Sequence, residues 1–361
     1  MLIASVAIAA LFVALTALLL VSSPGRPSPL VDANGQPVSG AISEKTFVTI
    51  NGVEQGMFIR SRDSSNPVLL YVHGGMPDYF LTERYPTGLE NSFTVCWWEQ
   101  RGAGLSYHPG LPAETITVDQ LISDTLSVTN YLRSRFGKNK IYLMGHSGGT
   151  FVAIQAAARA PWLYHAYLGV AQTSNQLHSE QLAYEYMLSE FIKNGNVRMV
   201  RKLRAAPVTV TEGVPKSYLA IRDVAMHSLG IGTTHDMKSV LTGILLQSFR
   251  SRQYTVGEKF NMWRAKAASG VSVVWNEMLK TDLSRSVPRL EVPVYFFEGI
   301  YDFTCSYTEA RSYFEKLQAP LKGFYTFESS AHSPLFEEPA KMNEIIEKDV
   351  LTGKNVLSDR I

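Results

Sequence analysis

Unbroken apolar runs of strand length recur along the chain, with stretches of helical spacing between them. Val68-Leu69-Leu70-Tyr71-Val72 follows Asn66-Pro67 and contains no polar position, as expected of a strand covered on both faces. Phe93 to Trp98, Ile141 to Met144 and Tyr167 to Val170 repeat that signature. Between them, Val118 to Phe136 brings Leu121, Ile122, Leu126 and Leu132 to or near one helical face. Upstream, Phe47–Ile50, an Asn51-Gly52 turn and Gly56–Arg60 predict an antiparallel hairpin. Strands alternating with helices predict an α/β fold, a mostly parallel sheet with helices on both faces.

The character changes from about Thr173 to Pro288. Helical segments dominate there (Glu180–Asn194, Lys216–His227, Met237–Arg250), and buried-strand runs are nearly absent. Alternation resumes at Val294-Tyr295-Phe296-Phe297, with a helix across Glu309–Leu317, a strand at Gly323–Phe327 and a terminal helix from about Pro339. The economical organisation is one α/β core, residues 41–172 and 289–361, interrupted by a helical cap at 173–288.

Leu2 to Val21 is apolar except for Ser5 and Thr16, and no Lys or Arg precedes it. Twenty such residues can span a hydrocarbon core. Residues 1–22 are therefore expected to form a single-pass membrane anchor. The alternative is a signal segment cleaved near Val21-Ser22-Ser23, which would leave a secreted protein. Residues 23–40, rich in Pro, Gly and Ser, read as a linker.

Composition narrows the function classes. With 34 Lys and Arg against 32 Asp and Glu, the net charge of +2 gives no footprint for nucleic acid. The basic stretch Arg198 to Arg204 reads as the solvated face of a helix, or more sharply as a contact for anionic lipid. Cys96 and Cys305 stand alone, in no metal-type spacing, and neither a disulfide nor a metal nor a cofactor is expected.

Gly145-His146-Ser147-Gly148-Gly149 lies between the Ile141 strand and a helix at Thr150–Arg159. A G-x-S-x-G pattern alone would arise by chance in about one chain of this length in eight. Between strand and helix it is a nucleophile elbow that exposes the Ser147 hydroxyl. A serine needs a base, and the base an orienting group. Of eight histidines only His332 lies beyond the cap, in the small-residue loop Ser329 to Pro334. Asp302 follows the strand ending near Glu298, with Glu298 itself the weaker alternative acid. Tyr71-Val72-His73-Gly74-Gly75-Met76-Pro77 supplies a glycine loop for the oxyanion, and the expected donors are the amides of Gly148 and of Gly75 or Met76. His73 is expected to organise that loop, and His146 is given no chemistry.

These residues resemble the α/β-hydrolase superfamily and, within it, the proline iminopeptidase-like group of serine peptidases. The resemblance rests on His73-Gly74-Gly75, Glu99-Gln100-Arg101-Gly102-Ala103-Gly104-Leu105-Ser106, the elbow, Gly299-Ile300-Tyr301-Asp302 and the His332 loop. It implies catalysis by Ser147, Asp302 and His332 through an acyl-enzyme, on a small-molecule or short-peptide substrate. Arg101 is expected to pair within the core. Three departures stand out: Met76-Pro77 where the group has Pro-Gly, Glu99 where it has Asp, and no match to its Trp- and Glu-bearing cap segment. Glu180, Glu185, Glu190, Glu212, Glu258 and Glu277 are candidates for that segment's amine-binding role by charge alone.

Two chemistries compete, an aminopeptidase and a carboxylesterase of small apolar acyl esters. A cap carboxylate facing the pocket favours the first, and a wholly apolar pocket the second. A non-catalytic, membrane-tethered binding module is the remaining class, and a complete set of catalytic residues argues against it. Epoxide-hydrolase and dehalogenase chemistry needs a carboxylate at position 147.

Overall fold

The computed structural model describes residue 17 and residues 19–360. An eight-stranded sheet forms its centre, in the order β1-β2-β4-β3-β5-β6-β7-β8. The strands are β1 (Ile42–Ile50), β2 (Val53–Ser61), β3 (Val68–Val72), β4 (Thr94–Trp98), β5 (Ile141–His146), β6 (Tyr164–Val170), β7 (Val294–Gly299) and β8 (Lys322–Phe327). β3 to β8 run parallel, and the β1–β2 hairpin joins antiparallel through β4. Chain order reverses at β3, which lies between β4 and β5. Open α/β sheets bind ligands at the carboxyl ends of strands at such a point.

The parallel strands are buried on both faces because each contributes to two separate cores. Val68, Leu70 and Val72 of β3 pack into one cluster, and Leu69 and Tyr71 into the other. Each such apolar side chain contributes about 1.5–3 kcal/mol. In the hairpin Ile50 pairs with Val53, and Asn51 and Gly52 both take positive φ (45° and 77°), the two-residue turn that follows strand twist. β1 begins at Ile42, ahead of the apolar run expected to form it. Ser43 to Thr46 are polar and only half-buried on this edge, so they carry no strand signal.

Helices fill the connection from β6 to β7, at Gln176–Lys193, Val197–Arg204, Lys216–Leu229, Leu246–Arg250, Val256–Ser269 and Trp275–Lys280. They hold an apolar cluster of their own around Met187, Phe191, Leu203 and Tyr218. The helix expected over Met237–Arg250 is regular only from Leu246. A wider turn at Leu241–Leu245 precedes it, where Met237 packs directly on Gly243. Val256–Ser269 opens on a capping box between Thr255 and Glu258. In Val197–Arg204 only Leu203 is fully buried and the basic side chains face solvent.

The apolar run Leu2 to Val21 falls almost wholly outside the described residues. Among the described residues no helix is long and apolar enough to cross a membrane. The expected linker lies against the folded body: Leu30 is buried, the Gly25 amide donates to Arg252 O (3.2 Å), and Lys259 Nζ donates to Ser23 Oγ (2.7 Å).

Candidate active site

Ser147 sits at the end of β5 with φ 56° and ψ −131°, a conformation non-glycine residues rarely adopt. Its neighbours enforce the turn. A Cβ on Gly149 would lie 2.0 Å from Val72 O, and one on Gly145 would lie 2.7 Å from Thr150 Cα. The Ser147 carbonyl accepts from Thr150 N (2.9 Å), Thr150 Oγ1 (2.6 Å) and Thr173 Oγ1 (3.2 Å), which anchors the elbow from the cap side.

Asp302 and His332 come together from the loops after β7 and β8. Asp302 Oδ2 accepts from His332 Nδ1 at 2.8 Å, and Oδ1 accepts from the amides of Thr304 (2.7 Å) and Cys305 (3.0 Å). Burial would raise the Asp302 pKa. The His332 ring and those two amides outweigh it and hold the carboxyl below its ordinary value. Glu298, the alternative acid, accepts instead from the Gln172 amide (2.9 Å), and burial pushes its carboxyl well up.

Ser147 and His332 line one cavity of about 230 Å³ beneath the cap. Among the described residues the Ser147 hydroxyl makes no hydrogen bond, with His332 or with any other group, and the two residues are brought together only as lining of this cavity. The glycine loop passes beside the serine: a Cβ on Gly74 would lie 2.6 Å from Ser147 Cβ. Gly75, Met76 and Gly148 also line the cavity. Their three amides have no hydrogen-bond acceptor among the described residues.

His73 organises this loop. Its Nε2 accepts from the Gln100 amide (3.1 Å), its Nδ1–H donates to Gly74 O (2.9 Å), and Gln100 Nε2 returns a bond to His73 O (2.7 Å). Burial brings its pKa down to about 4, which keeps the ring neutral. Arg101 pairs inside the core, with Nε and Nη2 on the Asp124 carboxylate at 2.7 and 3.0 Å. Glu99 spans further than an aspartate would, accepting from the Leu105 amide (2.6 Å) and from Tyr254 OH of the cap (2.5 Å).

His146, given no chemistry above, belongs to a second buried His–Asp pair. Its Nδ1 faces Asp78 Oδ2 and Tyr71 OH, each at 3.0 Å, and its Nε2 donates to the His332 carbonyl at 2.9 Å. The Tyr71 hydroxyl donates to Asp78 at 2.6 Å. Burial would lower the His146 pKa, but Asp78, the His332 carbonyl and Asp302 raise it.

A model of the family described as serine aminopeptidase, S33, matches residues 64–204. The probable aminopeptidase YbaC of Bacillus subtilis is 30% identical over 308 residues, 84% of this chain and 95% of that protein. The chain belongs to the S33 family of α/β-hydrolases. It is a serine hydrolase of the α/β-hydrolase fold. The fold is that of a proline iminopeptidase-related protein from Thermus thermophilus, at TM-score 0.57 and 19% identity over 84% of this chain and 97% of that one. Proline iminopeptidase of Mycobacterium smegmatis aligns at TM-score 0.56 and 14% identity over 86% and 98%.

The S33 cap carries the main surprise. Glu180 is buried and engaged by Arg222 Nη2 (2.6 Å) and Nε (2.7 Å), with Tyr218 OH at 3.1 Å. Glu185 accepts from Gln181, Glu190 from Lys193, Glu258 from Lys45 and Glu277 from Lys280, while Glu212 is exposed. Two acids line the cavity, Asp78, which is bonded to Tyr71 and His146, and Asp223 of the cap. Asp223 Oδ1 accepts from Arg222 Nη1 (2.9 Å), and its side chain, half exposed, opens on the cavity that holds Ser147. Nothing in the sequence distinguishes Asp223 from a solvated acid on a helix face.

Proposed function

We propose that the protein is an aminopeptidase acting on small substrates with a free amino end, with Ser147 as nucleophile, His332 as general base and then acid, and Asp302 as its orienting partner. His332 Nε2 takes the Ser147 proton as Oγ attacks the scissile carbonyl, and Asp302 stabilises the imidazolium. The negative charge that develops on the carbonyl oxygen is taken by the amide of Gly148 and that of Gly75 or Met76, where each donor contributes about 10²–10³ in rate. His332 then protonates the leaving amine, the acyl-enzyme forms, and water repeats the cycle.

One observation carries the peptidase reading over the esterase: the Asp223 carboxylate on the cavity. Burial alone would raise its pKa, yet Arg222 and Lys266 hold it below the ordinary value, so it stays an anion for a substrate ammonium. Anionic Asp223 has no role toward an uncharged acyl ester.

The test compares aminoacyl anilides with their N-acetyl forms and with short acyl esters, using the wild type and Asp223→Asn. The wild type should prefer the free amine, and Asp223→Asn should raise KM for that substrate alone. Equal turnover of free and acetylated amines would favour the esterase. Ser147→Ala should lose fluorophosphonate labelling. The apolar run Leu2 to Val21 supports a membrane tether, which carbonate extraction of the full chain would check.

A further inference from the structure

Lys266 lies near the end of the Val256–Ser269 helix, and its side chain lines the same cavity as Ser147. Its ammonium donates to two main-chain carbonyls, Val271 O at 3.1 Å and Gly75 O at 3.4 Å. Among the described residues no carboxylate comes within 4.0 Å of it. An ammonium has three protons to donate, so one direction remains open to the cavity. A cation removed from water without a counter-charge is costly, and an anion arriving with the substrate would relieve that cost.

The position sets how far that anion lies from the reacting atoms. Gly75 is both the residue whose carbonyl holds Lys266 and one of the expected oxyanion donors through its amide. Val271 packs so closely on the loop that a Cβ on Gly75 would lie 2.2 Å from Val271 O. Lys266 Nζ is thus separated from the Gly75 amide by a 3.4 Å hydrogen bond and the span of one residue, at most about 3.3–3.6 Å, a reach that suits an anion on a residue flanking the scissile bond. Asp223, on the facing Lys216–Leu229 helix, feels the Lys266 charge without forming an ion pair with it. Beside Asp78, which is held by His146 and Tyr71, the cavity therefore offers the Asp223 carboxylate and the Lys266 ammonium. Its 230 Å³ is also below the roughly 300–1,000 Å³ of sites for larger ligands.

We infer that Lys266 binds the α-carboxylate of the substrate, so that the preferred substrates are dipeptides held at both charged ends, ammonium on Asp223 and carboxylate on Lys266. This rests on the aminopeptidase reading and adds the second end.

Dipeptides and the same dipeptides with an amidated C-terminus are compared by kcat/KM, with an aminoacyl anilide as reference. A charge-assisted pair predicts a preference of about tenfold to a hundredfold for the free carboxylate. Lys266→Met should collapse that ratio towards one, and Lys266→Arg should keep most of it. A lysine that merely braces Gly75 and Val271 would lower both rates and leave the ratio intact, which overturns the proposal. If Lys266→Met does not fold, the wild-type ratio decides alone, and a value near one overturns it. Hydrolysis of the anilide without hydrolysis of dipeptides refutes the Lys266 assignment and leaves the aminopeptidase standing. Loss of discrimination against N-acetyl groups, with the carboxylate preference retained, does the reverse.

Discussion

His146 Nε2 donates to the main-chain carbonyl of His332 across 2.9 Å, so the residue before Ser147 holds the backbone of the proposed base. A carbonyl only accepts, which fixes a proton on Nε2. Nδ1 faces the Asp78 carboxylate, also only an acceptor, and the pair therefore favours the imidazolium. The two histidine rings lie 5.2 Å apart, centroid to centroid.

His146 is on these grounds a positioning residue. His146→Ala should lower kcat by about tenfold to a hundredfold, as a sub-ångström drift of the base does, with KM little changed. His146→Gln keeps a donor to the His332 carbonyl and should restore much of kcat. A purely structural role would lower the melting temperature and leave the kcat of the folded fraction unchanged in both variants.

The contrast between His146 and His332 marks how far the sequence can be read. His332 can be reached by elimination, since it alone lies beyond the cap, and Asp302 by its place after a strand. The parallel strands are legible because burial on both faces leaves unbroken apolar runs, as in Val68–Val72. His146 is different: its partners Asp78 and Tyr71 are 68 and 75 positions away, and only the fold brings them together. Asp223 and Lys266 are illegible for a related reason. Charged residues on cap helices look alike in sequence whether they face solvent or an internal cavity. The start of β1 and the ordered stretch after Ser23 escape notice because polar and Pro-rich segments carry no periodic signal even where they pack.

Arg101 tests the structural part of the group-specific motif. Its guanidinium and the Asp124 carboxylate are both almost fully buried, and Asp124 also accepts from Asn51, Gln55 and Gln120 (each 2.8 Å). Removing one partner of such a pair leaves the other charge uncompensated, at a cost of about 3–5 kcal/mol. Arg101→Met should therefore lower unfolding free energy by that amount in urea melts, while the folded fraction keeps its kinetic constants. A large loss of kcat with unchanged stability would instead give Arg101 a part in catalysis.

Glu337 makes the pH response of the His332 loop measurable. Its Oε1 accepts from the amides on either side of His332, Ala331 (2.9 Å) and Ser333 (3.3 Å), and its Oε2 accepts from the cap amide of His235 (2.5 Å). Burial pushes its pKa up to about 7 from an ordinary 4.5, against the pull of those three amides. Between these values the folded protein keeps a proton that the unfolded chain releases. The contribution to stability is thus fully present below pH 4.5 and is lost as pH rises through about 7. Glu337→Gln cannot titrate, so its melting temperature relative to wild type should climb steadily across this window and level off above it. His146 and Glu99 also have raised pKa values, but both remain in the variant and cancel in the difference. A difference that stays flat with pH would mean that Glu337 is already ionised in the folded protein at acid pH, with the three amides outweighing burial.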